Sequence, residues 1–145
     1  MELVDFKAWH YRKIKPQAAQ LALVDTITDD YLEALEDPLN ATCFTLIQGD
    51  KPLVCFGMIE IWEKRAYAWA LLDESAKFHL TKITKIIRRA LDYYSKEMRR
   101  IEGAVDCDFE EGHRWMKLLG FTLECDRMKA YRPDGKDAAL YAKVG

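Results

Sequence analysis

Three histidines, four cysteines and a scatter of carboxylates are the side chains here that could move protons, attack a carbonyl or hold a metal. His10, His79 and His113 stand far apart, and none has companions at a spacing that would gather several ligands on one ion, so no metal is expected. Histidine is the side-chain type best suited to move protons near neutral pH, which draws attention to His113. It adjoins Arg114 on a short amphipathic stretch whose apolar stripe excludes it, which predicts a surface position. Cys43, Cys55, Cys107 and Cys125 lie in or beside strand-like apolar runs with no C-x-x-C pair. That pattern reads as buried thiols rather than zinc or redox chemistry. Glu60, Asp73, Asp106 and Asp108 interrupt or end apolar runs. A carboxylate so placed can accept a proton from a reacting group. Each also has a structural use: Asp73 or Asp108 as a helix cap, Asp106 as a solvated strand end, Glu60 as the polar side of an alternating strand.

The elements that would position these groups follow from periodicity. "MELVDF" reads as a first strand, followed by a helical region broken at Pro16 and resumed by "PQAAQLALV", then a short helix at "DDYLEALE". "ATCFTLIQ", "LVCFGMIEIW" and "YAWALLDE", joined by the turns "GDKP" and "EKRA", make an antiparallel meander. From Lys77 to Met98, Leu80, Ile83, Ile87, Ala90, Leu91 and Tyr94 keep helical spacing, with Lys82, Lys85, Arg89 and Lys96 on a solvated face. "IEGAVDCD" is a strand leading into "EEGHRWMKLLGF", a short helix with Asp108 as N-cap, Glu111 completing a capping box, and Trp115, Leu118 and Leu119 as its buried stripe. Gly120 is its stop, because glycine takes the left-handed conformation that releases the chain into a strand. The tail folds as a hairpin about "RPDGKD". Trp62, Trp69 and Trp115, with Phe56 and Tyr67, are expected in the core, while Trp9 and Tyr11 are candidates to line a groove.

With 145 residues, half of them hydrophobic, the chain can bury one good core, so a single domain over 1–145 is expected. A net charge of -2 lacks the basic footprint of a nucleic-acid binder. No apolar run approaches the roughly 18 residues needed to span a bilayer, and Glu2, Asp5 and Lys7 spoil a secretory start. A cytoplasmic protein without a membrane partner is expected.

The order β, α, α, β, β, β, α, β, α, β, β, with "KLLGF" delivering the chain into a late strand, resembles the GNAT acetyltransferase superfamily. "WALLDE", "RRIEGAVDCDFEEGHRWMKLLGF" and "YRPDGKDAALYAKV" resemble in particular small GNAT-like proteins of tailed bacteriophages, of the acetyltransferase or internal virion protein type. The resemblance implies an α+β (α/β) fold with a mixed central sheet, an antiparallel meander followed by β-α-β-α-β-β, and helices on both faces. It implies that the strands at "YAWALLDE" and "IEGAVDCD" splay apart and that acetyl-CoA binds in the gap. Its pantetheine arm would pair with backbone at Ala70, Leu71 and Leu72, and its phosphates would lie at the start of the long helix near Ser75, Lys77 and His79. Asp73 and Asp106, at the two strand ends, are the implied catalytic bases, with Glu60 in reserve.

Two departures set this chain apart from the family pattern. "DESAKFHLTK" has no glycine where the family's phosphate loop has several, and Met116 stands where many members carry a tyrosine that protonates the leaving thiolate. Two functions follow. One is an N-acyltransferase acting on an amine of a protein or small molecule. The other is a catalytically inactive module that binds a virion or host protein, with the edge of the final hairpin offering a place for a homodimer.

Overall fold

A computed structural model describes residues 1–145. Strand β1 (Glu2–Asp5) is followed by helix α1 (Ala8–Lys13), a 3-10 turn over Ala18–Gln20, α2 (Leu21–Thr26) and α3 (Asp29–Leu35). Next come β2 (Thr42–Gln48), β3 (Lys51–Trp62), β4 (Arg65–Leu72), a 3-10 segment over Glu74–His79 and the long helix α4 (Leu80–Ser95). β5 (Arg100–Asp106), α5 (Glu110–Leu118), β6 (Thr122–Met128) and β7 (Ala138–Val144) complete the chain. The strands form one mixed sheet in the order β1-β2-β3-β4-β5-β7-β6. The β2–β3 hairpin turns at Gly49, whose φ of 60° suits glycine. It shifts register between Leu46 and Ile47, where Pro52 faces Ile47 and its missing N–H is tolerated. β7 lies between β5 and β6, so β6 is the edge strand of the closing hairpin. No helix is long and apolar enough to cross a membrane.

Packing divides the chain into two compact units, Met1–Glu60 with Ala68–Leu80, and Ile61–Tyr67 with Thr81–Gly145. β4 passes from one to the other between Tyr67 and Ala68. The first unit is built on Phe6, Tyr11, Ile14, Leu32, Leu35, Cys55 and Leu71, with Trp69 edge-on to Phe6 at 5.8 Å between ring centres. Cys55 is fully buried, and burial pushes its thiol and that of Cys43 up to about 12, which makes both inert near neutrality. The second unit buries Ile83 and Ile87 of α4, Ile101, Leu119, Phe121 and Tyr141. Lys82, Lys85 and Arg89 are exposed on α4, as its periodicity requires, and Lys96 is exposed just past its end.

Several local expectations need correction. The long helix begins at Leu80, not Lys77, because Glu74–His79 winds as a 3-10 segment in which the Ala76 N–H donates to Asp73 O at 2.9 Å. Asp108 does not cap α5, whose N-cap is Phe109 without a side-chain bond. The carboxylate that organises this start is Asp106, accepting from the Asp108 N–H at 2.9 Å. Leu118 is 56% exposed and Trp115 half-buried, so of the expected stripe Leu119 alone, just past the end of α5, is buried. Trp115 Nε1 donates to Thr84 Oγ1 at 2.9 Å. Trp62 lies on the surface, with the Arg65 guanidinium stacked 4.2 Å above its ring.

Gly120 terminates α5 as its place in the sequence demands. Its φ is 96°, its N–H donates to Lys117 O and the Phe121 N–H donates to Met116 O, the two bonds of a Schellman motif. A Cβ added at Gly120 would meet nothing nearer than Lys143 Nζ at 3.5 Å, so any penalty there is one of backbone conformation alone. Gly120→Ala is expected to destabilise the protein by about 1–2 kcal/mol, measured as a lowered urea midpoint with unchanged slope. A neutral result would mean that the turn finds a right-handed alternative.

Candidate functional site

The site begins where a ladder ends. β4 and β5 pair in parallel, Arg65, Ala66 and Tyr67 against Arg100, Ile101 and Glu102, while β4 runs on to Leu72 and β5 to Asp106. The Lys64 carbonyl accepts from the Arg99 and Arg100 N–H groups at 2.8 and 3.1 Å, which fixes the edge on which even-numbered residues of β4 present their peptide groups. The Asp73 N–H points the other way, to Leu53 O at 2.8 Å. Ala70 and Leu72 therefore present backbone groups on the edge that the ladder has left.

That edge carries a side chain. Gln20 Nε2 donates to Ala70 O at 2.8 Å, and the Leu72 N–H donates to Gln20 Oε1 at 3.3 Å. Its approach is set by the chain before it. Pro16 cannot extend α1, Ile14 is extended and buried, and Pro16 forms an antiparallel bridge with Asp73. The Lys15 N–H donates to Asp73 Oδ1 at 2.9 Å and Lys15 O accepts from the Glu74 N–H at 2.8 Å. Residues 15–20 thus run beside the end of β4, and a single 3-10 turn lifts Gln20 onto it.

Asp73 is 1% exposed and heavily bonded. It accepts from the Ser75 N–H at 3.0 Å and the Ser75 hydroxyl at 2.6 Å besides Lys15, with Lys51 Nζ 3.6 Å away. Burial, the largest single influence, raises its pKa. The Ser75 hydroxyl, the Lys15 and Ser75 N–H groups and Lys51 together outweigh burial, so the carboxyl titrates below the usual range. It is an anion held by donors, and a weak base. The carboxylate takes the Ser75 N–H, Asp73 O takes that of Ala76 and Lys15 O that of Glu74, so the first backbone N–H groups of the 3-10 segment, where an anion would otherwise dock, are occupied. Lys77 is exposed beside Phe78, its Nζ 5.2 Å from that ring's centre, and His79 is half-buried.

In the second unit, the Tyr67 phenol bonds the backbone N–H of Ala104 on β5 and the side chain of Tyr131. Burial first, then Tyr131, drives its pKa far up, so it stays a phenol. Asp106, also buried, faces Arg132 at 3.1 Å, and Glu102 binds Arg65 and Arg100 at 2.6 and 3.0 Å. Asp106 is thus a paired charge rather than a solvated strand end. His113 is half-buried, not on the surface: Nε2 donates to Cys107 O at 3.0 Å, which leaves Nδ1 to accept from the Tyr141 hydroxyl at 2.7 Å. His10 is buried too, its Nδ1 accepting from the Lys7 N–H at 3.1 Å, and burial together with Lys7 lowers its pKa. Of the groove candidates, Trp9 is 53% exposed and Tyr11 lies in the core.

No family model and no curated protein matches the sequence. Solved structures do match it. A spermidine N-acetyltransferase, SpeG, from Vibrio cholerae superposes with a TM-score of 0.72 at 15% identity, covering 99% of this chain and 95% of that one. An acetyltransferase of the GNAT family from Streptococcus pneumoniae gives 0.72 at 9% identity over 99% of both chains. RimL, a ribosomal L7/L12 α-N-protein acetyltransferase in complex with coenzyme A, gives 0.73 at 18% identity over 98% and 92%. The chain has the GNAT fold.

Within that fold, Ala70, Leu71, Leu72, Asp73, Ser75, Lys77 and His79 fall together in the first unit, and Asp106 belongs to the second. Sequence reasoning passed over Gln20, Lys15 and the hydroxyl of Tyr67. Gln20 sits in an apolar helical pattern that marks nothing special about it.

Asp73 supplies a pH test. Its folded pKa is depressed, so its stabilisation is complete above the unfolded value of about 3.9 and fades as pH falls through the lower, folded one. Asp73→Asn is expected to cost on the order of 2 kcal/mol at pH 7, with the gap to wild type narrowing in acid below about pH 4. Chemical denaturation at a series of pH values measures this. A gap that stays constant into acid would show that the charge of Asp73 contributes nothing.

Proposed function

We propose that this GNAT-fold chain is an N-acyltransferase that moves acetyl from acetyl-CoA to an amine of a protein or small molecule. The observation that carries this reading is the β4 edge, where Ala70 O and Leu72 N–H hold a carboxamide in the manner of a strand partner. A pantetheine arm, with its own in-line amides, fits those two groups. The 3-10 segment fits phosphates less well, since Lys15 O takes the Glu74 amide and Asp73 takes those of Ser75 and Ala76. Lys77 is the charge proposed to meet them, with Ser75 and His79 alongside. Acetyl-CoA would supply an acyl group activated as a thioester.

Asp73 and Asp106 remain the proposed proton acceptors, each within its own unit. Both are tied to donors, Asp73 to Ser75 and Lys15, Asp106 to Arg132 and the Asp108 N–H. Asp73, held below the usual carboxylate range, accepts a proton reluctantly, so the amine is expected to react best when it arrives neutral. The rate should climb with pH toward the pKa of the acceptor amine.

A second reading is favoured by the occupied amides of the 3-10 segment, its lack of glycine and Met116 in α5. In it the chain is an inactive interaction module of the phage type, binding a virion or host protein. Titration calorimetry and thermal shift with acetyl-CoA and CoA separate the two. Binding should raise the melting temperature with ligand concentration, and Lys77→Glu should weaken it roughly fivefold, the worth of one exposed charge at about 1 kcal/mol. No response at millimolar CoA would favour the module, to be sought by mass spectrometry of purified particles.

A further inference from the structure

Gln20 holds the two β4 groups that a ligand with in-line amides would need. A carboxamide has the donor and the acceptor of a peptide group in one plane. Here they are set on Ala70 O at 2.8 Å and the Leu72 N–H at 3.3 Å, which is how an added strand would engage this edge. The two contacts are unequal. The first lies inside the ordinary range for N–H···O bonds and the second beyond it. The side chain springs from a 3-10 turn of three residues, and Leu21, which follows it, is 50% exposed. The neighbouring backbone is anchored independently, through Lys15 to Asp73 and Glu74. Rotation of Gln20 would therefore bare Ala70 and Leu72 without unseating the rest of the segment.

We infer that Gln20 is an internal competitor for the amide arm of the ligand, a side-chain placeholder that must swing out before the β4 edge can be used. The inference rests on the acyl-CoA reading and adds to it a gate residue. It has two consequences. Apparent affinity is reduced by the fraction of molecules in which Gln20 is released. The edge also admits only ligands that bring both an acceptor for Leu72 and a donor for Ala70, because a bare alkyl chain would leave both peptide groups unpaired.

The test uses the full-length protein, wild type and the variants Gln20→Ala and Gln20→Glu, with two readouts. Backbone amide exchange reports the contact itself without any ligand. The Leu72 N–H should exchange at least several-fold faster in Gln20→Ala, while Glu74, held by Lys15, should not change. Unaltered exchange at Leu72 overturns the placeholder. Calorimetric titration with CoA, and with pantetheine as an arm-only probe, reports the competition. Gln20→Ala should bind both about tenfold more tightly than wild type, as expected for removing a net bond or two from the closed state. Gln20→Glu should also bind more tightly, since a carboxylate cannot donate to Ala70 O. If wild type binds CoA and Gln20→Ala binds it equally or less well, the competitor is refuted while the acyl-CoA reading stands. If neither protein binds CoA or pantetheine at millimolar concentration, the acyl-CoA reading itself is refuted and the competitor with it.

Discussion

A peptide group taken out of water must find a partner, and the structure at β4 follows from that constraint. Up to Tyr67 the partner is β5, through a parallel ladder. Past Tyr67 the partners on the same edge are the Gln20 carboxamide and the Lys15 carbonyl. β5 answers the same demand with the Tyr67 phenol on the Ala104 N–H. A strand that leaves its neighbour part-way would normally present a row of unpaired groups. Here two side chains and the Lys15 carbonyl take over the bonding.

This solution shapes the residues around it. Asp73 is buried because it ties together the chain before Gln20, the start of the 3-10 segment and, through Lys51, the beginning of β3. Bonds to a charged group are worth about 1.5–3 kcal/mol each, so the cluster can hold residues 15–20 against β4 without a large apolar contact of its own. The same bonds make Asp73 a poor base and remove the amides that would draw a phosphate. One carboxylate cannot both hold the fold and serve anion binding at the same atoms. In this chain the bonding favours the fold, and any ligand depends the more on β4 and on Lys77.

Much of the fold was legible because its signals are local. The stripe of α4 appears as Ile83 and Ile87 buried while Lys82, Lys85 and Arg89 are exposed, and the glycine stop of α5 appears as a positive φ with both Schellman bonds. "RPDGKD" turns as composition requires, with the Gly135 N–H donating to Arg132 O. What escaped depends on partners distant in sequence. Gln20 meets Ala70 across 50 positions, and no local pattern distinguishes it from its neighbours. Asp106 looks like a solvated strand end until Arg132 of the closing hairpin is brought against it. Leu118 and Trp62 fit apolar patterns yet face solvent, since periodicity gives a stripe but not its width. The 3-10 start before α4 follows from a cap and a bond to Lys15 that cannot be read from the spacing of Leu80, Ile83 and Ile87.

The most direct measurement is a crystal structure of the protein with acetyl-CoA. The account predicts Gln20 turned away from β4, Ala70 O and the Leu72 N–H bonded to the pantetheine arm, and residues 15–16 still fastened to Asp73 and Glu74. A complex in which the ligand lies elsewhere while the Gln20 carboxamide keeps its place on Ala70 and Leu72 would contradict it.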